Sequence, residues 1–366
     1  MTANQTFQEF RRKLVIDGFL HRDPVRIVSE LMLFVFVTLA GVAILLMTDN
    51  IVLEGLALGL ITLAGMGVST NAHTASHNAI SHQPWVNKAL TYFGYPFFLQ
   101  VSASYWRYKH LVVHHPHPNV EGIDDDADLM PFFALTNAEL ERVGSIRYWL
   151  YRLQWIYFPL LLVGNAFNVV RSGWLYLIRR LADPAQRRPE HWLDLIALLL
   201  HYLFWIGLPM LFLPAIDVIT FNLLRFALMS YGMFALFAPA HFPAEAAMVQ
   251  AAGVGSDVVA LQTLTTVNYR TGWLGRLICG GVEYQIEHHL FPSISPTHYP
   301  RLSERVREYC EQHGYPYRTL GWGEALWKSV LIFARPKPVF SNVKYAQRAQ
   351  RATNELATVE LCSEKG

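Results

Sequence analysis

Four long apolar stretches punctuate this chain, and they fall in two pairs. Residues 27–47 are hydrophobic apart from Glu30 near their start, and residues 51–70 follow after the break Thr48-Asp49-Asn50. Each run is long enough for a helix that crosses the roughly 30 Å hydrocarbon core of a bilayer. The short polar break predicts a hairpin that crosses and returns. Residues 192–214 and 216–239 predict a second hairpin. Residues 88–104 are apolar and aromatic but short, with Gly94 and Pro96 inside, which predicts an interfacial or re-entrant piece. Residues 149–170 are ambiguous: apolar enough to span, yet carrying Arg152, Gln154, Asn165 and Asn168. The expected division is a polar, mildly basic segment 1–26, a main body 27–343 and a polar tail 344–366.

Composition agrees with a polytopic membrane protein. The chain is 52% hydrophobic and 16% charged, against roughly 25% charged in soluble domains. Its start, Met1 to Arg12, has no short apolar core followed by a cleavage site, so no signal peptide is expected. Cys279, Cys310 and Cys362 lie far apart without a C-x-x-C pair, which disfavours a thiolate metal site or a disulfide framework. The formal charge of +2 carries no signature of a nucleic-acid partner.

The chemistry sits in fifteen histidines, most of them clustered. His73 and His77 follow the second apolar run. His110, His114 and His115 lie in the central polar region, His241 just past the fourth run, and His288 and His289 in Gln285-Ile-Glu-His-His-Leu-Phe-Pro. Histidines four apart share a helix face, while His115 is turned about 100° from His114, so one short segment can offer nitrogen to two ions. Eight imidazoles are too many for one ion and enough for two. The all-nitrogen set suits iron, with zinc or copper as alternatives. A zinc peptidase would want Glu after the first His of an H-E-x-x-H helix; here the box is His73-Thr-Ala-Ser-His77.

Parity and charge then orient the chain. If the boxes share one metal pocket, an even number of crossings separates them, so 149–170 is expected to be an amphipathic helix on the membrane surface. With four spans, one side receives residues 1–26, 71–191 and 240–366, with nearly all the Lys and Arg. The other receives two short turns with Asp49 and Asp217. That is the positive-inside pattern, with both termini and the histidines on the cytoplasmic face; a bacterial inner membrane is the expected location. Arg225, inside the fourth run, needs a partner such as Glu54 or a snorkelling pose. Of the remaining polar residues, Gln285 is a candidate weak ligand. His82, Asp125 and Asp128 are candidates to support the ligand rings, within or near the runs 73–82 and Asp124-Asp125-Asp126-Ala-Asp128. His117, between prolines, and His201, alone in the third run, read as structural.

The boxes His73-x3-His77, His110-x3-His114-His115 and Gln285-x2-His288-His289 resemble those of the membrane fatty acid desaturase superfamily, in particular its front-end and acyl-lipid members. The resemblance covers roughly residues 30–320. It implies an all-α membrane protein: four transmembrane helices in two hairpins under a cytosolic helical cap that holds a histidine-rich site for two iron ions. It assigns His73, His77, His110, His114, His115, His241, His288 and His289 as ligands. The implied reaction uses dioxygen to remove two hydrogens from neighbouring carbons of an acyl chain carried on a lipid, on CoA or on a carrier protein. The chain departs from the pattern at Thr74, where the family usually has Asp or Glu. That keeps a hydroxylase or ketolase outcome open. No His-Pro-Gly-Gly haem motif is present, so electrons are expected from a separate ferredoxin or cytochrome. A metal transporter is the remote alternative; it would place ligands mid-span, where only His201 stands.

Overall fold

The structure, a computed structural model, describes residues 3–349. Helix α1 (Ala3–Ile16) precedes the first hairpin, α2 (Pro24–Met47) and α3 (Ile51–Ser76). Asp23 caps α2 by accepting from Arg26 N, and Asn50 caps α3 by accepting from Val52 N and Leu53 N. The Thr48-Asp49-Asn50 break therefore works as a turn that starts the return helix. At about 1.5 Å per residue a bilayer core takes about 20 residues. The 26 residues of α3 exceed that, and His73 lies in its last turn. The apolar pattern stops at residue 70, but the helix continues because residues 71–76 are all buried by the elements packed around them.

Next come α4 (Pro84–Tyr92), a π-helical piece at Phe93–Phe98 around Pro96, α5 (Ala103–Arg107) and a second π-helical piece at Tyr108–His114. This is the short apolar region expected to re-enter. Gly94 lies so close to Ala72 of α3 that a Cβ there would stand 2.5 Å from the Ala72 Cβ. After β1 (Val120–Glu121) and α6 (Asn137–Glu141) the region 149–170 departs from expectation. It is not one amphipathic helix but parts of α7 (Ser145–Arg152), α8 (Gln154–Leu162) and α9 (Asn165–Ala182), with α8 and α9 bent by 63°. Gln154, which suggested a surface position, is buried and bonds both Ala134 N and Ala134 O. At the bend, Ser230 Oγ accepts from Ala166 N and donates to Val163 O.

The second hairpin is α10 (Pro189–Tyr202) and α11 (Ala215–His241). The third apolar run is helical through Leu211, but not α-helical throughout. It widens to a π-helix at Leu203–Gly207 and ends in a 3-10 turn at Pro209, whose ring removes a backbone donor. Four helices are thus long and apolar enough to cross a membrane. Leu39, Phe36, Leu53 and Leu223 remain exposed along them, the surface a lipid would cover. Arg225 is neither paired with Glu54 nor snorkelling. It is buried, with its guanidinium 4.0 Å from the Trp205 ring centroid and Nη2 donating to Asn222 Oδ1.

The remaining elements, which make up the cap segment, are β2 (Met248–Gln250), α12 (Val258–Thr265), β3 (Asn268–Arg270), α13 (Trp273–Cys279), α14 (Gln285–Leu290), α15 (Tyr299–His313), β4 (Thr319–Gly321), α16 (Trp322–Leu331) and β5 (Val339–Phe340). Short parallel pairings, β1–β2–β5 and β3–β4, stitch distant segments together. The polar segment before the first hairpin packs on the rest of the chain, with Phe7, Leu14 and Phe19 buried beside Phe291, Leu302 and Tyr309. The packed body also passes residue 344, since Val343 and Ala346 are buried beside Val120 and Val249. Residues 350–366 of the expected tail lie outside the described residues.

Candidate metal centre

Each histidine box is delivered by a different local device. His73 sits in the last turn of α3 and His77 caps that helix. His110 and His114 belong to the wide turn at Tyr108–His114, where His115 N bonds His110 O, five residues back. This widening directs His110 and His115 to one group and His114 to another. His241 ends α11, and His288 and His289 sit on α14.

The eight rings converge in two adjoining clusters. Ligand nitrogens of His73, His77, His110, His115 and His288 all lie within 4.8 Å of one another, and so do those of His114, His241 and His289. The clusters touch where the His115 and His289 rings stack at 4.4 Å. All eight side chains are buried.

The nitrogens fit a cation better than they fit each other. His73 Nε2 and His110 Nε2 stand 2.7 Å apart, and His110 Nε2 and His115 Nε2 3.1 Å. A neutral imidazole has one N–H, so three nitrogens meeting at one point cannot all be satisfied by donating to each other. Two nitrogens bound at right angles, each about 2.1 Å from an ion, would be about 3 Å apart. Nε2 of His77, His288 and His289 is buried without a hydrogen-bond partner among the described residues. Burial, joined by the neighbouring rings, holds His77, His110, His115, His288 and His289 well below the ordinary imidazole range. They are therefore neutral, the form that binds metal.

The opposite ring nitrogens are held by hydrogen bonds that fix orientation. His289 Nδ1 donates to Gln262 Oε1 at 2.8 Å, and Gln262 Nε2 donates to His115 O. His288 Nδ1 lies 3.3 Å from the Tyr299 hydroxyl. His114 Nδ1 contacts both Asp124 oxygens at 3.0 and 3.1 Å, with Asp126 at 3.7 Å. Burial works against the His114 imidazolium, but the Asp124 and Asp126 carboxylates outweigh it and raise its pKa.

Asp125 and Asp128, the expected supporting carboxylates, are exposed; the turn presents its first and third acids, Asp124 and Asp126, to His114 instead. His82 is exposed and outside both clusters. Gln285 is buried with Nε2 2.9 Å from His241 Nε2, and its Oε1 is unpartnered beside the smaller cluster. Thr74 donates to Thr70 O, not to a histidine. His201 contacts Phe97 O inside the bundle, away from both clusters.

Several anchors had no signal in residue spacing. Asn119 Nδ2 reaches the carbonyls of His241, Ala247 and Thr265, and the buried Lys337 donates to His241 O and Ala246 O. Glu287 accepts from Asn268 Nδ2 and Tyr317 OH, while Asn268 Oδ1 accepts from Ile286 N. Asn119 stands four residues after the second box, which was the one available hint.

Four helices long and apolar enough to cross a membrane, joined to a buried histidine-rich site suited to a metal, define a membrane protein with a candidate metal centre. The family model for fatty acid desaturases matches residues 50–321, and the chain belongs to that family of oxidoreductases. Among its relatives, the sn-1 linoleoyl-lipid 6-desaturase of Synechocystis sp. is 28% identical over 266 residues, 67% of this chain and 69% of that protein. A Delta(5) fatty acid desaturase of Caenorhabditis elegans is 24% identical over 345 residues, 90% of this chain and 73% of that protein. The Delta(8)-fatty-acid desaturase of Euglena gracilis is 25% identical over 360 residues, 96% of this chain and 82% of that protein.

Proposed function

We propose that this protein is a non-haem di-iron acyl desaturase that uses dioxygen, two electrons from a separate ferredoxin or cytochrome and two protons from solvent to convert one CH₂–CH₂ unit of an acyl chain to CH=CH, with release of two waters. The observation that carries this reading is the convergence of eight buried histidines in two adjoining clusters. One iron would be held by His73, His77, His110, His115 and His288. The other would be held by His114, His241 and His289, with Gln285 Oε1 beside it. Bound there, the pair would supply the activation of dioxygen needed to break unactivated C–H bonds.

The protein's own contribution is orientation and dryness. Asp124, Gln262 and Tyr299 hold the rings of His114, His289 and His288 from behind. Burial of all eight side chains keeps bulk water from the reacting carbons. The rings of His114 and His241 are 4.7 Å apart. An even number of crossings therefore has to separate them, and the bent α8–α9 pair is read as entering and leaving on one side. The positive flanks make that side the cytoplasm, with both termini there.

Expression in a host with a compatible reductase, followed by fatty acid profiling, tests the reading. Wild type should yield a species two hydrogens lighter than its precursor, absent with His288→Ala. Thr74 supports a second reading, since the usual carboxylate is missing beside His73. A histidine-dependent product heavier by one oxygen would replace desaturation with hydroxylation.

A further inference from the structure

A cavity of about 410 Å³ opens between the first hairpin and α13, and Arg26, Asn71, Thr74, Arg276 and Glu283 are among its lining residues. It shares Thr74, Gly280, Gly281 and Pro296 with a small inner void lined by His73, His77 and His288. The cavity thus runs from the cytosolic ends of α2 and α3 toward the larger histidine cluster. A few buried polar groups stand out in its mostly apolar lining. Glu283 is 3% exposed, and its Oε1 has no hydrogen-bond partner among the described residues; Oε2 accepts from Gly281 N. Asn71 is 6% exposed, and its Oδ1 is likewise unpartnered, while Nδ2 donates to Ile27 O. Two buried acceptors facing one cavity call for a ligand that brings donors, because an unmet buried acceptor is costly.

Two arginines, Arg26 and Arg276, line the same cavity, with Glu30 beside Arg26. Arg276 is exposed and makes no side-chain hydrogen bond or ion pair among the described residues, and Arg26 is tied to Glu30 only through Nε. Guanidinium groups of this kind suit a phosphate. Trp273, 81% exposed, and the exposed Leu274 flank Arg276 on α13. Tryptophan and leucine exposed beside the ends of two spans belong at the level of lipid headgroups.

We propose that this cavity seats the polar end of a membrane phospholipid whose headgroup carries N–H donors, with its phosphate at Arg26 and Arg276 and its donors at Glu283 and Asn71, so that an attached acyl chain passes Thr74 toward His73, His77 and His288. The role of the seated chain rests on the desaturase reading; binding of the lipid does not.

The test offers the purified full-length protein equal amounts of phosphatidylethanolamine and phosphatidylcholine with the same acyl chains, and counts retained lipid by native mass spectrometry. The two lipids share a phosphate and a positive nitrogen, but only the first brings N–H donors. Wild type should retain phosphatidylethanolamine about tenfold more, the size expected for a charge-assisted hydrogen bond to a buried acceptor. Arg276→Ala should lower retention of both lipids several-fold. Glu283→Ala should bring the ratio toward one, and Asn71→Ala reads the same preference should the Glu283 variant not fold. Equal retention of the two lipids by wild type, or retention untouched by Arg276→Ala, overturns the proposal. Product analysis on the same preparations separates the two readings. Conversion of a soluble acyl thioester with phospholipid left intact overturns the seat's role in delivering the acyl chain and keeps the desaturase. Lipid preference with no desaturation keeps the seat and overturns the desaturase.

Discussion

Asp124 illustrates how one side chain can set the state of a ligand. It is 2% exposed, accepts from Asn119 N and Asp126 N, and faces His114 Nδ1. Its carboxylate therefore fixes the ring so that Nε2 is the atom turned toward His241 and His289. Asp124→Ala should lower metal affinity at the smaller cluster about 10–100-fold. Iron measured per chain would fall, while Asp125→Ala, altering an exposed neighbour, should match wild type. Equal losses in the two variants would show that the acidic turn acts only through net charge. Four acids within five residues made the region legible from sequence but not the register, which depends on how the turn closes on Asn119. Burial also governs Cys310, whose thiol is pushed up to about 12. At pH 8 only about one molecule in ten thousand would carry the thiolate, so Cys310 should resist maleimide in the folded protein and react after denaturation. Peptide mapping of the label checks this; rapid native labelling would mean that this part of the cap opens readily.

At the level of elements, the third box depends on a helix of only six residues, α14, too short to be stable alone. Its geometry comes from β3 through Asn268, which bonds Ile286 N and Glu287. Asn268→Ala would leave a buried amide N–H and a carboxylate short of partners, at a cost of about 1–3 kcal/mol. We expect a lower midpoint of thermal unfolding, with iron lost at temperatures below it. An unchanged midpoint would mean that Tyr317 alone suffices to hold Glu287. The four long helices were readable because hydropathy is a local property. The ends of those helices were not, since His73 remains helical only because neighbouring elements bury it. The break between α8 and α9 was hidden for the same reason: Gln154 looks like a surface residue in the sequence but bonds inward to Ala134, and the bend itself is held by Ser230, more than sixty residues on, through the backbone of Val163 and Ala166. Arg225 was misread because its partner is the face of Trp205, a contact that no spacing rule indicates.

For the whole molecule, the sidedness argument makes a direct prediction. A cysteine replacing Asp49, in the turn between α2 and α3, should be labelled by an impermeant thiol reagent from outside intact cells. One replacing Gln186, between α9 and α10, should be labelled only after permeabilisation. Labelling of both from the same side would break the four-crossing arrangement, and with it the common face shared by the boxes. The histidine set was legible over the whole chain because each box is a short motif. The clasp between α1 and the cap was not, since its apolar residues are sparse in a polar segment. Phe7 and Phe10 lie against Phe291 and Tyr309, with ring centroids 4.6 to 6.1 Å apart. Phe7→Ala should cost about 3 kcal/mol or more by opening a void in that cluster, and a melting curve would register it.

That clasp also bears on the order of events during synthesis. Helix α1 leaves the ribosome almost three hundred residues ahead of its aromatic partners, and the same late segment brings His288 and His289. Until translation has passed that point, the nascent chain holds an incomplete set of imidazoles and an unoccupied aromatic face at its start. If the two clusters hold metal as proposed, neither can be completed before the third box is made, because one lacks His288 and the other His289 until then.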